Sequence, residues 1–281
     1  MTEIISIHSF RGGTGKSNTT ANLAVAFARM GHRVGVVDTD IQSPGIHILF
    51  GLDDERMDHC LNDYLWGNCA IEDAAYDVSD LLGVDGGELA VIGGGVHLVP
   101  SSIRVGEITR VLREGYDVGV LNDGFHELGH RLGLDYLLID THPGLNEETL
   151  LSITISNVLV IVLRPDQQDF QGTAVTVDVA RKLGVPEILL VVNKVLPDYD
   201  FGAVRAEVER TYELPVAGIM PLSEDVVRLA SAGVFCVHRP DHPIADEISL
   251  IATRVVGSTE PGERHSTGTA SKPSSPPSGA G

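Results

Sequence analysis

The sequence predicts an α/β fold in which a mostly parallel, doubly wound sheet carries helices on both faces. Three observations predict it. Short runs rich in Val, Ile and Leu alternate with longer helical stretches, a glycine-rich turn joins the first run to the first helical stretch, and aspartates fall at the ends of the runs at 34–38 and 136–140. Strands buried on both faces read as continuous apolar runs of this kind, and ligands of open α/β sheets collect at the carboxyl ends of the strands.

Taken in order, strands are expected over 4–8, 34–38, 136–140, 158–163, 188–192 and 216–220, with further candidates at 89–92 and 96–99. Helices are expected over 16–30, stopped by Gly31, and over 170–183, stopped by Gly184. Glycine just past a last turn takes the left-handed conformation that ends a helix. Further helices fall near 202–212 and 223–232, and 244–256 is amphipathic in the manner of a helix docked on the core. Residues 53–95 read as a loop-rich insertion with short helices, and no internal repeat is visible.

The chain has 281 residues, 43% of them hydrophobic. The apolar residues are spread over 1–256, which reads as one globular domain. Residues 257–281 are mostly Ser, Thr, Pro, Gly and Ala; such a segment cannot bury enough apolar surface to fold and is expected to be a disordered tail. The formal net charge is −19. The tail holds Glu260 and Glu263 against Arg264 and Lys272, so the acidic excess belongs to the domain. An acidic body is repelled by nucleic-acid phosphates and anionic lipid, which points to a protein partner or activator, basic in character, ahead of either surface. The three cysteines, Cys60, Cys69 and Cys236, form no CxxC pair, which fits a reducing compartment and disfavours iron–sulfur and structural zinc sites. No run approaches the roughly 18 apolar residues of a membrane helix. The expected location is cytoplasmic.

The strongest local signal is Arg11-Gly12-Gly13-Thr14-Gly15-Lys16-Ser17, followed by Asn18, between a predicted strand and a predicted helix. Glycines let backbone N–H groups converge on phosphates, Lys16 adds a positive charge, and the Ser17 hydroxyl can ligate Mg²⁺ at a helix N-terminus. The common spacing of such loops would put a glycine at Phe10. Instead a basic residue precedes two glycines, the arrangement of a deviant Walker A loop.

At this point the chain resembles the ParA/MinD family of deviant Walker P-loop ATPases, from about Ile4 to Val256. Four further segments carry the resemblance in order: Thr19, Asn22, Leu23 and Ala24; Val36 to Asp40 with Gln42, Pro44 and Gly45; Tyr136 to Asp140 with Thr141 and Gly144; and Asn193-Lys194 with Gly218 to Pro221. The resemblance implies a P-loop NTPase sheet, ATP and Mg²⁺ as cofactors, and slow, partner-stimulated hydrolysis. It assigns Asp40 to the attacking water, Asp38 and Asp140 with Ser17 to the magnesium shell, and Asn193, Met220 and Pro221 to the adenine. Arg11 stands where the family carries a signature lysine that reaches a partner's nucleotide, so an ATP-dependent homodimer is implied. The expected function is an ATPase switch that positions or partitions a cargo.

Other readings compete. A small-molecule kinase or synthetase on the same scaffold would need a second pocket within 53–130, and a nucleotide-gated binding module would show little turnover. His126-Glu127-Leu128-Gly129-His130 matches the HExxH pattern of zinc proteases, with Glu127 as base. Its third ligand would fall at Tyr136, inside a predicted strand. Leu121, Phe125, Leu128 and Leu132 form an apolar stripe at helical spacing, which favours an ordinary amphipathic helix. Nonspecific DNA would need a basic face, for which only Arg181, Lys182, Arg205, Arg210 and Arg228 are candidates. No C-terminal membrane helix is expected, because the chain from Gly257 lacks an apolar face and a basic flank.

Overall fold

A computed structural model describes residues 1–82 and 94–259. The expected strand at 89–92 and all but the first three residues of the expected tail lie outside them. Among the described residues eight strands form one sheet: β1 (Glu3–His8), β2 (Arg33–Asp38), β3 (Tyr76–Asp77), β4 (Gly95–Val99), β5 (Tyr136–Asp140), β6 (Val158–Leu163), β7 (Glu187–Val195) and β8 (Val216–Pro221). Their spatial order is β3-β4-β2-β5-β1-β6-β7-β8, with every pair parallel except β3 with β4. The fold expected from sequence is the one observed.

Eleven α-helices are described: α1 (Lys16–Arg29), α2 (Ile46–Leu49), α3 (Leu61–Leu65), α4 (Val105–Glu114), α5 (Val118–Leu132), α6 (Glu147–Ile155), α7 (Gln167–Leu183), α8 (Phe201–Tyr212), α9 (Glu224–Leu229), α10 (Phe235–His238) and α11 (Pro243–Thr259). Alternation along the strands divides the core between the two faces. Ile5, Ile7, Val36, Leu138, Val158 and Val160 pack with Leu23 and Phe27 of α1 and with Ile248, Ile251 and Val255 of α11. Ile4, Val37, Leu137 and Ile139 face the other way, onto Leu121, Phe125 and Leu128 of α5. On that same side Leu159 and Ile161 meet Val177 of α7 and Val208 of α8. Each such side chain removed from water contributes about 1.5 to 3 kcal/mol before entropy is charged against it.

Local chemistry sets the helix ends. α7 starts three residues earlier than its apolar pattern predicts, because the Asp166 carboxylate accepts from the N–H groups of Gln168 and Asp169 and caps the helix there. The helix expected over 223–232 stops at Leu229, where Ala230 and Ser231 turn to φ 51° and 62°. β3, α4 and α6 were not foreseen. β3 is two residues long, and α6 has apolar side chains around most of its circumference, so neither shows a readable period.

Candidate functional site

β1 is flanked by β5 on one side and β6 on the other, so the chain leaves its carboxyl end at the point where the strand order reverses. The loop from Ser9 to Gly15 leads there directly into α1. Gly13 and Gly15 hold φ of 80° and 95°, values that side-chain-bearing residues resist. Gly15 also has no room: a Cβ would lie 2.4 Å from Asn193 Nδ2. α1 opens without a side-chain cap and without an acid in its first turn, leaving its first N–H groups and the positive end of its dipole for a ligand. The Thr14 hydroxyl is buried there with no partner among the described residues.

Three aspartates converge on this loop. β2 and β5 run parallel and in register, with Asp38 opposite Asp140. Both carboxylates are about 1% exposed, and one ammonium serves the pair: Lys16 Nζ, itself buried, donates to Asp140 Oδ1 at 2.7 Å. Thr20 Oγ1 donates to the same oxygen at 3.0 Å, a contact that nothing in the local motif announces. Asp38 accepts from the backbone N–H of Asp40 and of Gly45. Burial, and then the Asp140 charge, push its carboxyl up to about 7, with Lys16 pulling the other way. Asp40 lies two residues beyond the end of β2, and its Oδ1 accepts from His142 Nδ1 at 2.6 Å and from Ser43 N–H at 3.2 Å. Beneath the loop His8 is fully buried, paired through Nδ1 with Thr141 Oγ1 at 2.8 Å. Desolvation, with the Lys16 and His142 charges, lowers its pKa to about 3, so it is neutral.

Beside the loop lies a cavity of about 170 Å³, open from Gly15, Asn18 and Thr19 to Met220 and Pro221. Its far wall is apolar, made by Val226, Val227, Phe235 and Ile248. Asn193 lines it too, with half of its amide engaged: Nδ2 donates to Thr14 O and Oδ1 accepts from Lys194 N–H, both at 2.8 Å. Lys194, at φ 59°, donates from Nζ to Gly13 O at 2.7 Å. The two residues therefore strap the loop from the end of β7.

Arg11 stands on the other flank, its side chain 41% exposed. Its guanidinium donates to Gln168 Oε1 and lies 3.8 Å from Asp169 and 4.0 Å from Asp166, all at the start of α7. Phe10 takes up the space above the same helix, since a Cβ on Gly172 would fall 2.1 Å from its ring.

The remaining sequence candidates separate from this site. His126 and His130 sit exposed on α5 beside its buried stripe, Glu127 pairs with Arg131, and no group of three metal-ligating side chains occurs among the described residues. Among the candidate basic residues, Arg181 donates to Tyr212 O, Arg205 to Val216 O, and Arg228 pairs with Glu224. Among the described residues no helix is long and apolar enough to cross a membrane.

A phosphate-type loop at the reversal point of a parallel sheet, with buried aspartates at the neighbouring strand ends, defines the class of P-loop nucleotide-binding proteins. Residues 5–234 match the CobQ/CobB/MinD/ParA nucleotide binding domain, CbiA, and the chain belongs to that family. An uncharacterized ATP-binding protein of Methanocaldococcus jannaschii is 31% identical over 254 residues, covering 90% of this chain and 87% of its own. The cell division ATPase MinD of Pyrococcus furiosus superposes with a TM-score of 0.74 at 25% identity, over 92% of this chain and 99% of that one. The septum site-determining protein MinD of Pyrococcus horikoshii, complexed with Mg-ADP, superposes at 0.72 with 24% identity, over 93% and 100%.

Proposed function

We propose that this chain is an Mg-ATP-dependent ATPase switch that dimerises with ATP and hydrolyses it to position or partition a cargo, assisted by a protein partner. The observation that carries the reading is the buried triangle of Lys16, Asp140 and Asp38 under an uncapped helix N-terminus, with a base-sized cavity alongside. Two buried carboxylates against one ammonium leave a net negative charge, which is the donor chemistry a hard divalent cation suits. Asp38, Asp140 and the Ser17 hydroxyl would hold Mg²⁺. The backbone N–H groups of 12–18 and Lys16 would hold the phosphates, and Asn18, Met220 and Pro221 would frame the base. Asn193, which also fixes Thr14 and Lys194, would offer its second amide hydrogen and free lone pair to the base edge. When bound, the magnesium ion neutralises charge on the phosphate oxygens.

The protein's own residues supply the rest. Lys16 exchanges its bond to Asp140 for one to phosphate, since charge-assisted contacts of this kind dominate such sites. Asp40 orients the attacking water. Arg11, in the deviant position of the loop, reaches the partner's phosphates once it leaves Gln168. Titration calorimetry with Mg-ATP, followed by phosphate release in the presence and absence of candidate partners, tests the proposal. Binding with micromolar-range affinity and turnover is expected; a protein that binds no nucleotide sinks it.

A further inference from the structure

We propose that His142 is a positioning residue for hydrolysis, holding the Asp40 carboxylate at the angle from which it orients water; this rests on the reading of Asp40 given above. The register of the sheet produces the contact. β2 and β5 are parallel neighbours with Asp38 opposite Asp140, and the pairing runs on past both strands, because Thr39 N–H and Thr39 Oγ1 each donate to Asp140 O at 3.0 and 3.1 Å. Side chains two residues apart return to the same face of an extended chain. Asp40 and His142 each stand two residues beyond the paired aspartates and meet as the next pair in that row, at 2.6 Å.

The bond is directional. An ionised carboxylate only accepts, so His142 Nδ1 carries the proton. Both bonds to the carboxylate, from His142 and from Ser43 N–H, fall on Oδ1. Oδ2 has no protein partner among the described residues and is left to accept from water. The pair is largely screened from solvent, with side-chain exposures of 15% for Asp40 and 23% for His142. A carboxylate tethered through one oxygen loses the rotational freedom that would misdirect the other, the general requirement for precise placement of a reacting water. The same contact ties together the two loops that follow β2 and β5, one carrying Asp40 and the other continuous with Asp140.

The test compares His142→Ala, His142→Asn, Asp40→Ala and the Asp40→Ala/His142→Ala double variant with the wild type. Asn places Nδ2 as many bonds from the backbone as His Nδ1, but has no counterpart of Nε2. His142→Ala is expected to lower kcat about tenfold, the effect of losing one hydrogen bond to a charged group, with KM and ATP affinity unchanged. His142→Asn should recover most of that loss, and the double variant should be no slower than Asp40→Ala alone, as for residues that act as one unit. A readout independent of turnover is available in the nucleotide-free protein: nitrogen-15 spectra should show His142 protonated at Nδ1 and reverting towards the ordinary Nε2–H form in Asp40→Ala. Wild-type protein that binds Mg-ATP without turning it over removes the hydrolytic reading and this inference with it. If the wild type turns over, the inference alone falls when His142→Ala matches it. It also falls when His142→Asn is as slow as His142→Ala, which would make Nε2 the working atom.

Discussion

Lys16 Nζ lies 2.7 Å from Asp140 Oδ1 with both side chains buried, so the ammonium at the mouth of the loop is held by a carboxylate of the same site. Removing one partner of a buried pair leaves the other charge uncompensated, at a cost of about 3 to 5 kcal/mol unless it takes up a proton. Lys16→Ala is therefore expected to do two separate things. It should lower stability in urea by about 3 kcal/mol, and it should abolish the rise in melting temperature that Mg-ATP gives the wild type. A variant that melts like the wild type and is still protected by Mg-ATP would remove Lys16 from both roles.

His8 contributes stability that acid removes. Its folded pKa of about 3 lies below the ordinary 6.5, so between those values the unfolded chain binds a proton that the folded chain does not. That contribution is complete above pH 6.5 and is lost as pH falls towards 3, by up to about 1.4 kcal/mol per pH unit. Asp38 opposes it, since a carboxyl raised to about 7 binds its proton more tightly in the folded state. The difference between wild type and His8→Asn isolates the histidine. Unfolding free energies measured from pH 8 to 4 should show that difference falling below pH 6.5; a flat difference would mean His8 titrates normally.

The parts of this site that were legible in the sequence are those whose chemistry is local. Gly12 to Ser17 announce themselves by spacing, and Asp38 and Asp140 by ending apolar runs. What could not be read depends on register or on distant chain. Asp40 and His142 are 102 residues apart and meet only because β2 and β5 align Asp38 with Asp140. Thr20 looks like any helix-opening threonine until Asp140 is brought above it. Asn193 has the right residue type for a base edge, but its hydrogen bond to Thr14 joins residues 179 apart in the chain, and no local sequence pattern records it. Of the fold, the central strands were plain, whereas the two-residue β3 lacked the length to show alternation.

Two glycines hold the loop by the space they leave. At Gly15, φ 95° and the approach of Asn193 both oppose a methyl group. At Gly172 only packing does, against the Phe10 ring at 2.1 Å. Gly172→Ala should cost about 1 to 3 kcal/mol through overpacking, and Phe10→Leu in the same chain should restore part of it. Gly15→Ala should instead lose nucleotide binding, because it displaces the Asn193 strap from Thr14, and no change at Phe10 should rescue it. Thermal melts and calorimetry on Gly172→Ala and Gly15→Ala, each with and without Phe10→Leu, separate the two. Equal rescue of both by Phe10→Leu would show that the loop responds as a single soft unit.

Asp40→Ala is expected to bind Mg-ATP with wild-type affinity and release phosphate at least about tenfold more slowly, since it removes the orientation of water and no contact to the nucleotide. Calorimetry and single-turnover phosphate release on the same preparation check both halves. Wild-type turnover would transfer the role to another residue and free Asp40 as a structural acceptor for Ser43 and His142.

Arg11 gives the test of dimerisation. Its guanidinium is half exposed and bound at the start of α7, where Asp169 is also held by Arg164 at 2.9 Å. Releasing Arg11 thus leaves no buried carboxylate unpaired, and its exposed pair with Asp166 is worth at most about 1 kcal/mol. On the proposed reading, the side chain exchanges Gln168 and Asp169 for a phosphate across an ATP-bound dimer, where a guanidinium stabilises charge on the transferring group. In an Asp40→Ala background, which slows hydrolysis, sedimentation with saturating Mg-ATP should show a dimer. Adding Arg11→Ala should leave a monomer that still binds ATP through Lys16, whereas Arg11→Lys should keep the dimer, weakened by a point charge in place of the planar fork. Gln168→Ala, which loosens the hold on Arg11 within one chain, should shift the monomer–dimer equilibrium towards dimer. If the Asp40→Ala protein stays monomeric, or if Arg11→Ala dimerises as well as its parent, Arg11 belongs to the loop and α7 alone.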